Sequence, residues 1–110
     1  MAELDWSPRS IKDINEIAEF ISKDSIQYAS EQVNQFFAKV VILEKHPFAG
    51  RMVPELKTSS LRQILCGHYR IIYEVLESSQ VAIVTAHHQS RLLKNNPAIK
   101  QILKRRKQNK

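Results

Sequence analysis

The chain has 110 residues, of which 43% are hydrophobic, with 17 basic and 11 acidic side chains and a formal net charge of +6. That length suits one domain with one modest core, and the apolar fraction excludes global disorder. No apolar run approaches the ~20 residues of a membrane span, and the opening Met-Ala-Glu-Leu-Asp-Trp lacks the basic-then-apolar layout of a secretory leader.

The single cysteine, Cys66, has no partner for an internal disulfide. Its expected place is a small buried strand position in a cytoplasmic protein. The charge is uneven. Residues 1–90 hold 9 basic and all 11 acidic side chains, while residues 91–110 hold 8 basic ones and no acid. Two readings of this basic end are open: a surface for a polyanionic or acidic partner, or a solvated tail.

Residues 2–6 alternate polar and apolar and read as a first strand, with Leu4 and Trp6 inward. Ser7-Pro8 starts a helix, Ser7 as N-cap and Pro8 at the first helical position, where its missing N–H costs nothing. Ile11, Ile14, Ile17, Ala18 and Ile21 recur at helical spacing over 8–22. Lys12, Asp13, Glu16, Glu19 and Lys23 are expected on the wet side. Asp24 and Ser25 cap a second helix with the stripe Ile26, Ala29, Val33, Phe36, Phe37, Val40 and Leu43, which ends before Pro47. The two helices form an antiparallel hairpin that covers one face of a sheet.

Residues 46–60 read as a long loop, followed by a strand at 61–66 and a tight turn at Gly67-His68. Two β-branched and aromatic runs, 69–76 and 81–87, flank the polar turn 77–80 as a hairpin, the centre of the sheet. Tyr69, Ile71, Tyr73 and Val75 share its core-facing side. After Arg91 come a break at Asn96-Pro97 and a short basic amphipathic helix at 98–107, weakly docked or mobile. The second sheet face is therefore expected to stay largely open. The fold class is α+β in the order β-α-α-β-β-β-α, with a mainly antiparallel four-stranded sheet. The body spans residues 1–91 and a basic extension spans 92–110.

No metal site or cofactor is expected. His87 and His88 are adjacent and alternate in direction along a strand, Cys66 has no cysteine at zinc spacing, and two glycines make no phosphate-binding loop. The residues that stand out are cations and imidazoles at the end of the hairpin away from its turn. Arg62 and Arg70 flank the Gly67 turn, His88 is expected on the face of Arg70, and Arg91 and the loop residue Arg51 approach the same edge. Such a cluster suits a phosphodiester or acidic surface. It also suits RNA cleavage, with His88 as acid–base and the arginines on the pentavalent phosphate. Each residue has a structural alternative: Arg70 paired with an acid of either helix, His88 as a hydrogen-bonded strand residue, His46 and His68 as loop residues.

Four pieces then appear in order: Trp6-Ser7-Pro8-Arg9 with Asp13-Ile14 and Ile17; Pro47-Phe48-Ala49-Gly50-Arg51 continuing to Pro54-Glu55-Leu56; Tyr69-Arg70-Ile71-Ile72-Tyr73; and His88-Gln89-Ser90-Arg91. On these, residues 4–91 resemble the RelE/ParE toxin superfamily of bacterial toxin–antitoxin systems, most closely its ParE-like branch. The resemblance implies a small toxin held inactive by a cognate antitoxin, with operator DNA reached only indirectly through that antitoxin. ParE-like members poison DNA gyrase, and RelE-like members cut mRNA in the ribosomal A site. The nuclease set is broken here. The second strand offers Arg62 and no lysine, Gln89 stands about where an arginine would, and no tyrosine or histidine follows Arg91. The expectation is a gyrase inhibitor without chemistry of its own, binding through Arg51, Arg62, Arg70, His88 and Arg91 and through the tail cations Lys104, Arg105 and Arg106. The alternative is a ribosome-dependent mRNA endonuclease using Arg62, Arg70, His88 and Arg91.

Overall fold

The computed structural model describes residues 2–56, 60–77 and 79–108, without the side chains of 106–108; the side chain of Arg106, one of the expected tail cations, and Ser78 of the hairpin turn thus lie outside what is described. A first strand, β1 (Glu3–Trp6), leads into helix α1 (Pro8–Ser22) and helix α2 (Ile26–Val41). Strands β2 (Arg51–Met52), β3 (Leu61–Cys66), β4 (Tyr69–Val75) and β5 (Gln80–His88) follow, and helix α3 (Pro97–Gln108) is the last described element. The sheet order is β1-β5-β4-β3-β2. The last four strands form an antiparallel meander, and β1 lies parallel to β5 with Trp6 opposite Ile83.

The sheet has five strands where the sequence pattern led us to expect four. The addition is β2, two residues of the long loop paired with Gln63 and Arg62 of β3. A two-residue strand has no room for alternation, so periodicity cannot reveal it.

The helix boundaries follow from their caps. Ser7 Oγ accepts from Ser10 N at 3.0 Å, and Pro8 occupies the first helical turn. Ser25 Oγ accepts from Tyr28 N at 3.0 Å and starts α2. The hairpin packs Ile14, Ile21, Phe36 and Val40 onto Ile71, Tyr73, Val81 and Ile83, all buried. Tyr69, Ile71, Tyr73 and Val75 contribute to this side, as their alternation requires. Cys66 is buried in the same core, and burial pushes its thiol pKa up.

The other face is not open. Val53, Leu61, Ile72, Leu93 and Ile99 form a second buried cluster, with Leu56, Val84 and Ile102 packed against it. Helix α3 supplies Ile99, which is fully buried, so it is docked rather than weakly held. Burying one isoleucine contributes roughly 1.5–3 kcal/mol. Asn96 begins this helix much as Ser7 begins α1. Its Oδ1 accepts from Ala98 N at 2.9 Å and Ile99 N at 3.3 Å, and a proline follows. The dipeptide Asn96-Pro97 is thus a helix start as well as a break.

Candidate functional site

Strand β1 covers β5 only as far as Ile83. Beyond that point β5 is an edge, and α1 supplies partners for its backbone. Ser7 Oγ donates to Val84 O at 3.0 Å, and Ala86 N donates to Asp13 Oδ2 at 3.3 Å. The Thr85 hydroxyl donates to the same carboxylate oxygen. Asp13 therefore belongs to the interior, at 7% exposure, and not to the wet side of α1 as expected. Burial raises its pKa, against the hydrogen bond from Thr85 and the charge of Arg9, whose Nε lies 3.1 Å from Oδ1. The signal was available: Ser10, Asp13, Ile14, Ile17 and Ile21 form one helical stripe.

From Asp13 a chain of polar side chains crosses the end of β5. Asn96 Nδ2 donates to Thr85 Oγ1 at 3.1 Å and lies 3.0 Å from His87 Nδ1. Since Asn96 Oδ1 is committed to two backbone N–H groups, its Nδ2 must donate to His87, and Nδ1 accepts. The imidazole proton then sits on Nε2, which donates to Arg91 O at 3.0 Å. Burial lowers the pKa of His87, opposed by the hydrogen bond to Arg91. His87 is thus a neutral, doubly bonded link between β5 and α3.

The expected cationic cluster is split by the strand register. Tyr69 stands opposite His88, and Arg70 stands opposite His87. Arg70 therefore shares a face with His87 and not with His88, because a one-residue difference in pairing reverses the side. Arg70 is 6% exposed. Its Nη1 donates to Glu55 Oε1 at 3.0 Å and to Gln63 Oε1 at 2.9 Å, and its Nη2 donates to Glu55 Oε2. Hydrogen bonding from Arg70 holds the Glu55 carboxyl below its ordinary pKa. The acid that pairs with Arg70 comes from the 3-10 turn Pro54–Leu56, neither from α1 nor from α2 as the structural alternative had it. The bidentate fork fills the Nη1/Nη2 edge, and the Nε on the remaining edge is buried without a partner among the described residues, shut away from an incoming phosphate.

Arg62 is also committed. Its Nη1 donates to Gly50 O at 2.7 Å, and its guanidinium lies 4.9 Å from the Phe48 ring centroid. Gly50 N donates to the buried Tyr73 hydroxyl at 2.8 Å. A Cβ at Gly50 would stand 2.5 Å from Gln63 O, so only glycine permits this approach. The run Phe48-Ala49-Gly50 is therefore a lock between the loop and the sheet. Arg51 is exposed on the edge strand β2. Gln89, at the position where a nuclease arginine was sought, donates to Gly67 O at 2.8 Å and Tyr69 O at 3.2 Å.

His88 and Arg91 lie on the opposite side, along a groove of about 660 Å³ between α1 and the start of α3. Phe20, Tyr69, His88 and Arg91 line it, and Phe20 is 65% exposed. His88 packs edge-on against Tyr69 at 5.1 Å between ring centroids. Its Nδ1 accepts from Ser90 N at 3.1 Å, which places a neutral ring's proton on Nε2. The groove has an aromatic floor and a rim of mixed charge, Arg9 and Arg91 beside Asp13 and Glu16, chemistry that suits an amphipathic segment with charges of both signs. Among the described residues no group of three or more His, Cys, Asp or Glu could hold a metal ion, and no helix is long and apolar enough to cross a membrane.

Comparison with curated protein sequences gave no match. Among solved structures, a chain of the chromosomal ParDE toxin–antitoxin system from P. aeruginosa is similar at a TM-score of 0.64 and 15% identity, over 80% of this chain and 96% of that one. A chain of the toxin–antitoxin complex RelBE2 from Mycobacterium tuberculosis is similar at a TM-score of 0.51 and 16% identity, over 79% of this chain and 96% of that one. At these identities the likeness is one of fold. The model of the family described as the ParE toxin of the type II toxin–antitoxin system parDE matches residues 4–93, from β1 past the end of β5, and the chain belongs to that family.

Proposed function

We propose that this ParE-family toxin inhibits growth in the cytoplasm by binding and poisoning DNA gyrase, and that a cognate acidic antitoxin neutralises it. The observation that carries the reading is the commitment of Arg70. The terminal nitrogens of its guanidinium are held by Glu55 and Gln63, and the whole group is buried inside the sheet's second face. His88 stands on the other face, and Arg62 is tied to Gly50. The residues that an RNA-cleaving site would need to bring around one phosphate do not converge. What the surface offers instead is a contact region: the groove of Phe20, Tyr69, His88 and Arg91, the exposed Arg51, and the cations Lys104 and Arg105 of α3. The toxin is then a protein–protein inhibitor. The aromatic floor fits an amphipathic segment of the antitoxin, with Arg91 and the exposed cations of α3 placed for its carboxylates.

Induction of the toxin alone, with two readouts, tests this reading. The expected result is trapped double-strand breaks and a DNA-damage response without prompt mRNA cleavage. Rapid codon-positioned cuts in mRNA, with intact chromosomal DNA, would establish ribosome-dependent cleavage instead. Co-expression of the antitoxin encoded beside the toxin is expected to restore growth.

A further inference from the structure

Helix α3 has two unlike arcs. Ile99 and Ile102 point into the second cluster of the sheet. At 100° per residue, Lys100, Gln101 and Lys104 fall on the arc opposite them and Arg105 flanks that arc, and all four are exposed. Lys94, in the 3-10 turn Leu93–Asn95 just before the helix, is exposed as well. None of these cations forms an ion pair among the described residues, and residues 91–110 contain no acid. The remainder of the chain is slightly acidic, so the positive charge is concentrated on this one element.

We infer that α3 is a contact surface for duplex DNA, gripping phosphates independently of sequence. Several chemistries are separable here. A membrane-binding amphipathic helix needs a broad apolar arc for the lipid, and α3 has spent Ile99 and Ile102 on the sheet, which leaves Leu103 alone exposed among its large described apolar side chains. Single-stranded nucleic acid is held by aromatic stacking as well as charge, and residues 89–110 contain no aromatic side chain. A row of exposed cations with Leu103 as its one large exposed apolar neighbour among the described side chains of α3 matches the uniformly charged backbone of a duplex. Lys100 and Lys104 are one turn apart, about 6 Å along the axis, a short step suited to successive phosphates. A helix about 10–12 Å across also matches the major groove of B-DNA, about 12 Å wide, and not the deep, narrow major groove of A-form RNA. The docking of Ile99 fixes the row in place, so little ordering cost falls on binding. This is a direct contact, unlike the antitoxin-mediated one that the family resemblance implies. It does not depend on the gyrase reading, because bare duplex is the probe.

The test is fluorescence anisotropy of a labelled duplex DNA of arbitrary sequence, titrated with the full chain at several salt concentrations. With Lys94, Lys100, Lys104 and Arg105 each on a phosphate, the slope of log K against log salt is expected near −3.6, a loss on the order of 100-fold between about 50 mM and about 200 mM salt. Replacing these four residues by glutamine is expected to flatten the slope to near zero without lowering the thermal midpoint. A second variant, with Lys12, Lys23, Lys39 and Lys45 changed to glutamine, loses the same net charge elsewhere and is expected to keep the slope. Equal loss in both variants would reduce the effect to net charge and overturn the proposal. So would binding of polyglutamate, single-stranded DNA or duplex RNA as tight as that of duplex DNA, or an absence of binding at low salt.

Discussion

The two faces of the sheet are held by different physics. The face under α1 and α2 is a continuous apolar core, with Phe36, Val40, Ile71, Tyr73 and Ile83 all fully buried. The face under α3 has a smaller apolar cluster, and beside it lie the buried polar groups Gln63, Arg70, Thr85, His87 and Asn96. Burial area stabilises the first face without regard to pH or direction. The second depends on particular hydrogen bonds, each with a donor and an acceptor that must both be present. The cations of this chain obey the same division. Arg70 is enclosed and serves the fold, whereas Lys100, Lys104 and Arg105 are exposed and carry charge to the surface.

This contrast can be broken from either side. Phe36→Ala removes a fully buried ring from the first face and is expected to cost about 3–5 kcal/mol, measured by urea unfolding, with all elements lost together. Glu55→Gln leaves the Arg70 charge on the second face without its counter-ion. The expected cost is about 2 kcal/mol, below the ~3–5 kcal/mol of a fully buried pair because Glu55 is 47% exposed. A loss below about 0.5 kcal/mol would mean that the ion pair does not hold the Pro54–Leu56 turn.

Most of the architecture was legible in local pattern. Ser7-Pro8 and Ser25 located the helices, and alternation in Tyr69–Val75 assigned the faces of β4, because both signals depend on near neighbours. What escaped was long-range. The partner of Arg70 is Glu55, fifteen residues away in an irregular loop with no periodicity of its own. The burial of Asp13 follows from where β1 stops covering β5, a fact of topology. The pairing of Arg70 with His87 instead of His88 is a matter of one residue in register, which composition does not encode. The apolar side of the last helix was visible in Ile99 and Ile102, but the cluster that receives it, Val53, Leu61 and Ile72, is assembled from three separate segments.

Smaller effects sharpen the same contrast. Asn96→Ala removes the α3 cap and the bonds to Thr85 and His87, for an expected loss of about 1–2 kcal/mol. Hydrogen exchange should quicken in α3 while α1 and α2 keep their protection. The pH response should also belong to the second face. The folded pKa of His87 lies below its ordinary value of 6.5, so the unfolded chain binds the extra proton first. Its contribution is complete above 6.5 and is lost as pH falls toward the lowered folded value. Unfolding monitored from about pH 7.5 down to about pH 5.5 should show declining stability, and His87→Gln should flatten that decline. Asp13 works in the reverse sense. Its raised pKa makes the buried carboxylate cost stability at neutral pH, and the cost disappears as pH falls below the ordinary carboxylate range.

The most direct measurement combines purified toxin, DNA gyrase and supercoiled plasmid in one reaction, and toxin with translating ribosomes in a second. A gyrase poison without chemistry of its own should convert plasmid to linear DNA trapped on gyrase while ribosome-bound mRNA stays intact. Glu55→Gln, which frees the Arg70 fork from its counter-ion, should not create mRNA cleavage. Codon-positioned mRNA cuts by the unaltered toxin, with plasmid and gyrase unaffected, would contradict the account.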